Sequence, residues 1–204
     1  MTVTTEHERV IRHTQEWLNK VVIGLNLCPF AHAAHANQRI RFVMSTAQDE
    51  DRLIADLMRE MLTLVEASPE ETETTLLIHP WVLTDFLDYN DFLDSADAAL
   101  DDLGLSGVLQ VASFHPHYQF ADSAADAIEN YSNRSPYPML HLLREDSVSR
   151  ASDTYPDIAS IPETNIATLR KLGHKGWKAL GLSVLINPYP RHPGQNSGQN
   201  SGQA

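Results

Sequence analysis

The chain has 204 residues, 42% of them hydrophobic and 21% charged, a length suited to one full hydrophobic core and short for two. Fifteen basic against twenty-seven acidic residues give a net charge of −12, which repels phosphate backbones and anionic lipid surfaces, so neither nucleic acid nor a membrane is expected as a partner. No apolar run nears the roughly 20 residues of a membrane-spanning helix, Met1 to Lys20 lacks the pattern of a secretory or transit peptide, and the lone Cys28 cannot form an internal disulfide. These features predict a soluble, cytoplasmic, bacterial-type protein with one globular domain over residues 1–192 and a disordered tail over 193–204, where Gly-Gln-Asn-Ser repeats without an apolar side chain.

Thr5 and Glu8 have the spacing of a capping box, and Val10, Thr14, Trp17, Leu18 and Val21 follow at helical intervals, which predicts a first helix. After Gly24, Pro29 suits the first position of a short alanine-rich second helix, with Cys28 at its start. Arg39 to Ser45 alternates as a strand, and Leu53, Ile54, Leu57, Met58, Met61, Leu62 and Val65 form the stripe of a helix over about Gln48 to Ala67. Thr74 to His79 is a second strand, and Thr84 is expected to cap a helix ended by Gly104, whose outer row of aspartates reads as a solvated face. Val108 to Phe114 is a third strand, Ala121 to Glu129 a short helix, and Pro138 to Leu143 a fourth strand. Pro162 opens a further helix that Gly173 and Gly176 interrupt, and Leu182 to Ile186 is a candidate edge strand. The order α-α-β-α-β-α-β-(α)-β-α-α predicts an α+β (α/β) fold, a two-layer sandwich with about four strands in a mixed sheet covered by helices.

Three segments carry the chemistry. His115 and His117 flank Pro116 at the end of the third strand, where an extended chain points both imidazoles to one side. Asn130 to Pro138 mixes amides, hydroxyls, tyrosines and Arg134 between restraining prolines, which suits either the lining of an anionic or planar ligand site or a rigid loop that satisfies its own backbone. Cys28 stands either at a helix start that lowers its thiol pKa or among the core residues Leu25, Leu27 and Phe30. No phosphate loop, dinucleotide fingerprint, nucleophile elbow or zinc-protease helix occurs, so no cofactor is assigned.

The leading expectation is a small-molecule enzyme with His115 or His117 as acid/base and Arg134 as anion clamp, with Cys28 a conditional member. Asn133, Ser135, Tyr137 and Arg144 are expected to bind its ligand, an anion in the simplest case. The alternatives are a metal- or ligand-binding protein using His79, His115 and His117, with Asp122 or Asp146 as a further carboxylate, and an interaction module whose tyrosine- and proline-bearing loops contact another protein. Oligomeric state and substrate are not specified by any motif.

The strings Gly24-Leu25-Asn26-Leu27-Cys28-Pro29-Phe30-Ala31, His115-Pro116-His117-Tyr118-Gln119-Phe120-Ala121-Asp122 and Asn133-Arg134-Ser135-Pro136-Tyr137-Pro138 resemble a bacterial family known as the domain of unknown function fourteen-fifteen. The likeness spans about Thr14 to His192. The resemblance implies that Cys28, His115, His117 and Arg134 belong to the family pattern, but it brings no activity, substrate or cofactor with it.

Overall fold

A computed structural model describes residues 5–154 and 158–182. The expected edge strand over Leu182 to Ile186, apart from Leu182 itself, and the tail lie outside the described residues.

Helix α1 (Glu6–Trp17) begins on the expected capping box, with Thr5 and Glu8 bonding each other's backbone N–H groups. It runs on as a π-helical stretch, Leu18–Ile23, that no sequence signal announces. Gly24 closes this stretch because any Cβ there would lie 2.5 Å from the carbonyl oxygen of Lys20. Helix α2 (Ala31–Ala36) starts two residues after Pro29, and β1 (Ile40–Met44) follows. Helix α3 (Glu50–Glu66) is capped by Asp49, and β2 (Thr74–Ile78) is buried along its whole length. Asp85, not Thr84, caps α4 (Phe86–Asp102), because its carboxylate accepts from the backbone N–H groups of Leu87 and Asp88.

Strand β3 (Leu109–Phe114) leads into turns and a short 3-10 segment (Ile128–Ser132) where a helix over Ala121 to Glu129 is expected. In that region Asn130 is buried, and its side chain takes the N–H of Phe120 and bonds the carbonyl of Ala124, so side-chain bonds replace a helical ladder. Strand β4 (Met139–Arg144), helix α5 (Glu145–Thr154) and α6 (Ile161–Ala179) complete the order. Gly173 bends α6 with φ +61°, a left-handed conformation, where the sequence predicts an interruption.

The α+β class and the four-stranded mixed sheet under helical cover are as expected. The strand order is β1-β2-β4-β3, with β1 parallel to β2 and β4 antiparallel to both of its neighbours. Strand β4 therefore fills the place between β2 and β3 that the chain skips when it crosses through α4. The helical cover extends to both faces, one layer more than a two-layer sandwich. Leu77, Leu140, Leu142 and Leu109 pack with Leu53, Leu57, Tyr89 and Phe92 of α3 and α4 on one face. Leu76, Ile78 and Met139 pack with Trp17, Val21, Leu169 and Trp177 on the other. Alternate residues of β2 and β4 thus face different cores, which is why both strands read as continuous apolar runs. No helix among the described residues is long and apolar enough to cross a membrane.

Arg144, expected to act as a second ligand-binding cation, ties α3 to the sheet. Its guanidinium donates to the carbonyls of Leu64, Ala67 and Thr72, which end α3 and begin β2. A cation at the C-terminal end of a helix satisfies orphan carbonyls and complements the dipole. Arg144→Gln is expected to cost about 2–3 kcal/mol, the scale of lost charge-assisted bonds to buried carbonyls; an unchanged denaturation midpoint would show that water replaces them without loss.

Candidate functional site

Because β2 and β3 both run antiparallel to β4, their C-terminal ends reach the same rim. Met139 pairs with Ile78 on one side and Phe114 on the other, so His79 and His115 emerge on either side of β4. The Tyr89 ring lies between the two imidazoles, with ring centroids 5.8 Å from His79 and 5.1 Å from His115. The proximity expected of these two histidines is therefore real, but their chemistry is used locally.

His115 is fully buried; its Nδ1 accepts the backbone N–H of His117 at 3.0 Å, which leaves Nε2–H to donate to the Leu83 carbonyl at 3.3 Å. Both ring nitrogens of the neutral form are engaged, so His115 has no lone pair for acid/base work or for a metal. The chain also turns at Pro116 instead of continuing extended, with Tyr118 N–H bonding His115 C=O, and this leaves His117 exposed while His115 is buried. The Nδ1–H of His79 donates to Val82 C=O at 3.0 Å, and its Nε2 is buried without a hydrogen-bond partner among the described residues. Among the described residues no three His, Cys, Asp or Glu side chains are placed to hold a metal ion, which overturns the His79, His115 and His117 ligand set.

The Asn130 to Pro138 loop is a lock. Arg134 donates to the carbonyls of Tyr118 and Ala125, and its guanidinium carbon stands 4.3 Å above the Tyr131 ring. Its own carbonyl accepts the indole N–H of Trp17. Asn133 donates to Ser113 C=O, Ser135 donates to Tyr137 C=O, and the buried Tyr137 meets His13 at 2.8 Å. The clamp and the polar lining expected of this loop are thus directed inward, at the backbone and at α1, because a loop seated on a sheet rim must satisfy its own peptide groups.

The space that can hold a ligand lies elsewhere. A cavity of about 600 Å³ opens over the face of the sheet opposite α3 and α4. Gln110, Ala112 and Phe114 of β3, His141 and Leu143 of β4, and Thr74 and Leu76 of β2 form its floor. Trp17 and Val22 close one side, and Cys28, Phe30 and the alanines of α2 another. Small side chains leave it open: Ala31, Ala33 and Ala34 of α2 and Ala112 of β3 all line it, and methyl groups do not fill the space between helix and sheet. Sequence reasoning missed this site. The one local signal is a histidine inside an otherwise apolar strand, Met-Leu-His-Leu-Leu.

His141 is the polar centre of the floor. Register places it between Leu76 and Ala112, and the Thr74 hydroxyl lies 2.6 Å from its Nε2. That hydroxyl donates its single proton to the Leu142 carbonyl at 2.5 Å, so it accepts from Nε2–H, and Nδ1 keeps its lone pair. No described residue hydrogen-bonds Nδ1, and the imidazole retains accessible surface on the side of the cavity it lines. Burial pushes its pKa down to about 4, so the ring is neutral at ordinary pH. Cys28 stands in the cavity wall, and burial raises its thiol pKa against the smaller opposing pull of the Phe30 and Ala31 N–H groups. Of the two readings of Cys28, a thiolate at a helix start or a core residue, the second fits its surroundings: desolvation outweighs the backbone donors.

A second recess of about 400 Å³, lined by Asp49, Asp51, Asp85 and Asp88, is open to solvent, and the carboxylates of Asp49 and Asp85 already cap α3 and α4.

Burial alone is the leading cause that holds His79, His115 and His141 each at a pKa of about 4. A folded-state pKa below the unfolded ~6.5 gives stability that is complete above pH ~6.5 and is lost as pH falls toward the folded value. Each histidine withdraws stability across that window, because the unfolded chain takes up a proton that the folded chain does not, and the three act in the same direction. Denaturant titrations are expected to show this loss between pH ~6.5 and ~4; equal unfolding free energies at the two ends would refute the neutral assignments.

The model of a family described as a protein of unknown function, DUF1415, matches residues 9–179. No curated protein and no solved structure matches the chain. The family match takes in β1 to β4, the His115-Pro116-His117 turn, the Arg134 lock and every residue named in the cavity, and the chain belongs to the DUF1415 family.

Proposed function

We propose that this protein binds a small, largely apolar molecule in the cavity over β2, β4 and β3, with the neutral imidazole of His141 accepting a hydrogen bond from a hydroxyl or N–H group of the ligand. The observation that carries the reading is the open Nδ1 lone pair of His141 in a mainly apolar space of about 600 Å³. That volume is in the range of small-molecule sites, roughly 300–1,000 Å³, and such sites pair an apolar lining with few oriented polar groups. Three aromatic residues, Trp17, Phe30 and Phe114, line it, and these favour a flat ligand body. The small-molecule partner expected from the sequence is kept in this reading, while its position moves from the rim segments of His115 and Arg134 onto the sheet face that carries His141.

Ala112→Phe places a ring in the cavity and is expected to abolish uptake of a fluorescent hydroxyaryl probe while the fold persists, as read by circular dichroism and denaturation. His141→Leu keeps the Thr74 bond to Leu142 and is expected to weaken a naphthol probe about tenfold, the scale of one neutral hydrogen bond, with little effect on methylnaphthalene. Failure of the wild-type protein to bind either probe, or equal binding by Ala112→Phe, would overturn the proposal.

A further inference from the structure

The polar centre of the cavity floor is a relay of three groups. Thr74 of β2 pairs with Leu143 and Leu76 pairs with His141, so Thr74 and His141 are diagonal neighbours on the face of the sheet that the cavity covers. The oxygens of Thr74 and Leu142 lie 2.5 Å apart, and a carbonyl can only accept, so the hydroxyl proton stands between them. A lone pair of that hydroxyl then meets Nε2 of His141 at 2.6 Å, a contact that is attractive only with a proton on Nε2. Thr74 is buried, and its branched side chain has few rotamers, so the hydroxyl keeps this aim.

The imidazole therefore offers the cavity a bare Nδ1, which accepts and does not donate. Its neighbours supply no strong donor that would favour a carbonyl ligand. Leu76 and Ala112 stand across from it in the flanking strands, and the Phe114 ring centroid lies 6.0 Å from its own. The indole N–H of Trp17 is given to Arg134 C=O, and the Cys28 thiol in the wall is a weak donor. Gln110, two residues along β3 from Ala112, brings an amide that both donates and accepts, so it favours neither kind of ligand. A carbonyl at Nδ1 would need the imidazole proton moved there, which sets the Nε2 lone pair against the Thr74 oxygen. Turning the Thr74 hydroxyl toward Nε2 relieves that clash only by leaving two oxygens 2.5 Å apart with no proton between them.

We propose that Thr74 is a specificity-determining residue of this cavity: through His141 it selects an alcohol, a phenol or an N–H heterocycle and rejects the corresponding ketone or ether. This inference rests on the cavity reading above and adds which ligand chemistry is refused and which residue refuses it. Thr74 is a positioning residue, because it acts on the ligand through the imidazole.

Tetralol and tetralone share one ring frame, differ in a hydroxyl against a carbonyl, and serve as the probes. Calorimetric titration is expected to give tetralol about tenfold tighter binding than tetralone in the wild-type protein, the factor that one neutral hydrogen bond supplies. Thr74→Val removes the relay and lets the imidazole carry its proton on either nitrogen, so the preference should fall to about threefold or less, chiefly by tighter binding of tetralone. Thr74→Ser keeps the hydroxyl and should keep the preference. Nitrogen-15 NMR reads the tautomer without any ligand, and His141 is expected as Nε2–H in the wild type and in Thr74→Ser, and as a mixture in Thr74→Val. Equal affinity for the two compounds in the wild type, or an undiminished preference in Thr74→Val, overturns the role of Thr74 while the cavity reading stands. Absence of binding by both compounds, or a proton on Nδ1 in the unliganded protein, removes both.

Discussion

At the rung where Met139 stands between Ile78 and Phe114, the hydroxyl of Tyr89 donates to Met139 C=O and accepts the N–H of Phe114. One buried phenol from α4 thereby pins the rim of the two antiparallel strands, and burial raises its pKa so that it remains a donor. Everything on this rim is built around that ring. His79 and His115 flank it, and each ties its neutral imidazole to the loop between β2 and α4, at Val82 and Leu83. Leu83 itself takes a left-handed φ of +55°, a conformation that costs a branched side chain free energy and persists because the His115 bond and the surrounding burial fix it. The loop that joins β2 to α4 is therefore set by the same contacts that close the sheet, and the place of β4 between β2 and β3 is set with it.

The rows of alternating and helical spacing were legible because they report burial, and burial decides the secondary structure of Leu53 to Leu64 or of Thr74 to Ile78 directly. The capping box at Thr5 and Glu8 and the break at Gly173 were legible for a similar reason: each is a local event within a few residues. The insertion of β4 was not, because antiparallel pairing of Met139–Arg144 with two strands far earlier in the chain leaves no mark in either strand's own pattern. The His115 and Arg134 segments were found as unusual, and their unusual composition has a structural source. A rim loop that crosses from β3 to β4 without regular structure must answer many peptide groups with side chains, and Asn130, Asn133, Arg134 and Ser135 answer them. Polar density in a sequence thus marked backbone satisfaction, whereas the cavity arose where the sequence is bland, at alanines.

Those alanines explain why the cavity persists. Filling it would require larger residues on α2 or at Ala112, and α2 has no buried residue of its own to draw it closer to the sheet. Its entry is held by Gly24 packed against Lys20 and by the left-handed φ of Asn26, which together fix the approach of Cys28 and Phe30 to the floor. The π-helical stretch at Leu18–Ile23 widens the helix where Leu18 and Val22 line the space, a distortion found more often at functional sites than elsewhere.

A buried imidazole with an unused lone pair is costly in an apolar space, since a polar group moved from water without a partner loses of the order of 1–3 kcal/mol. The structure lessens that cost at Nε2 through Thr74 and leaves it at Nδ1. His79 shows the other outcome: its Nε2 is sealed beneath Tyr89 and packed on all sides, so no molecule can reach it. The difference between the two histidines is access, because the atom across the strand from His141 is the methyl group of Ala112 and not a ring. The same burial that keeps His141 neutral makes its lone pair a stronger acceptor for a ligand than it would be in water, where hydration competes. A donor on a flat apolar body recovers both the orphaned bond and the contact area left open by the alanines, and this joint recovery selects His141 over the more conspicuous histidines of the rim as the centre of recognition.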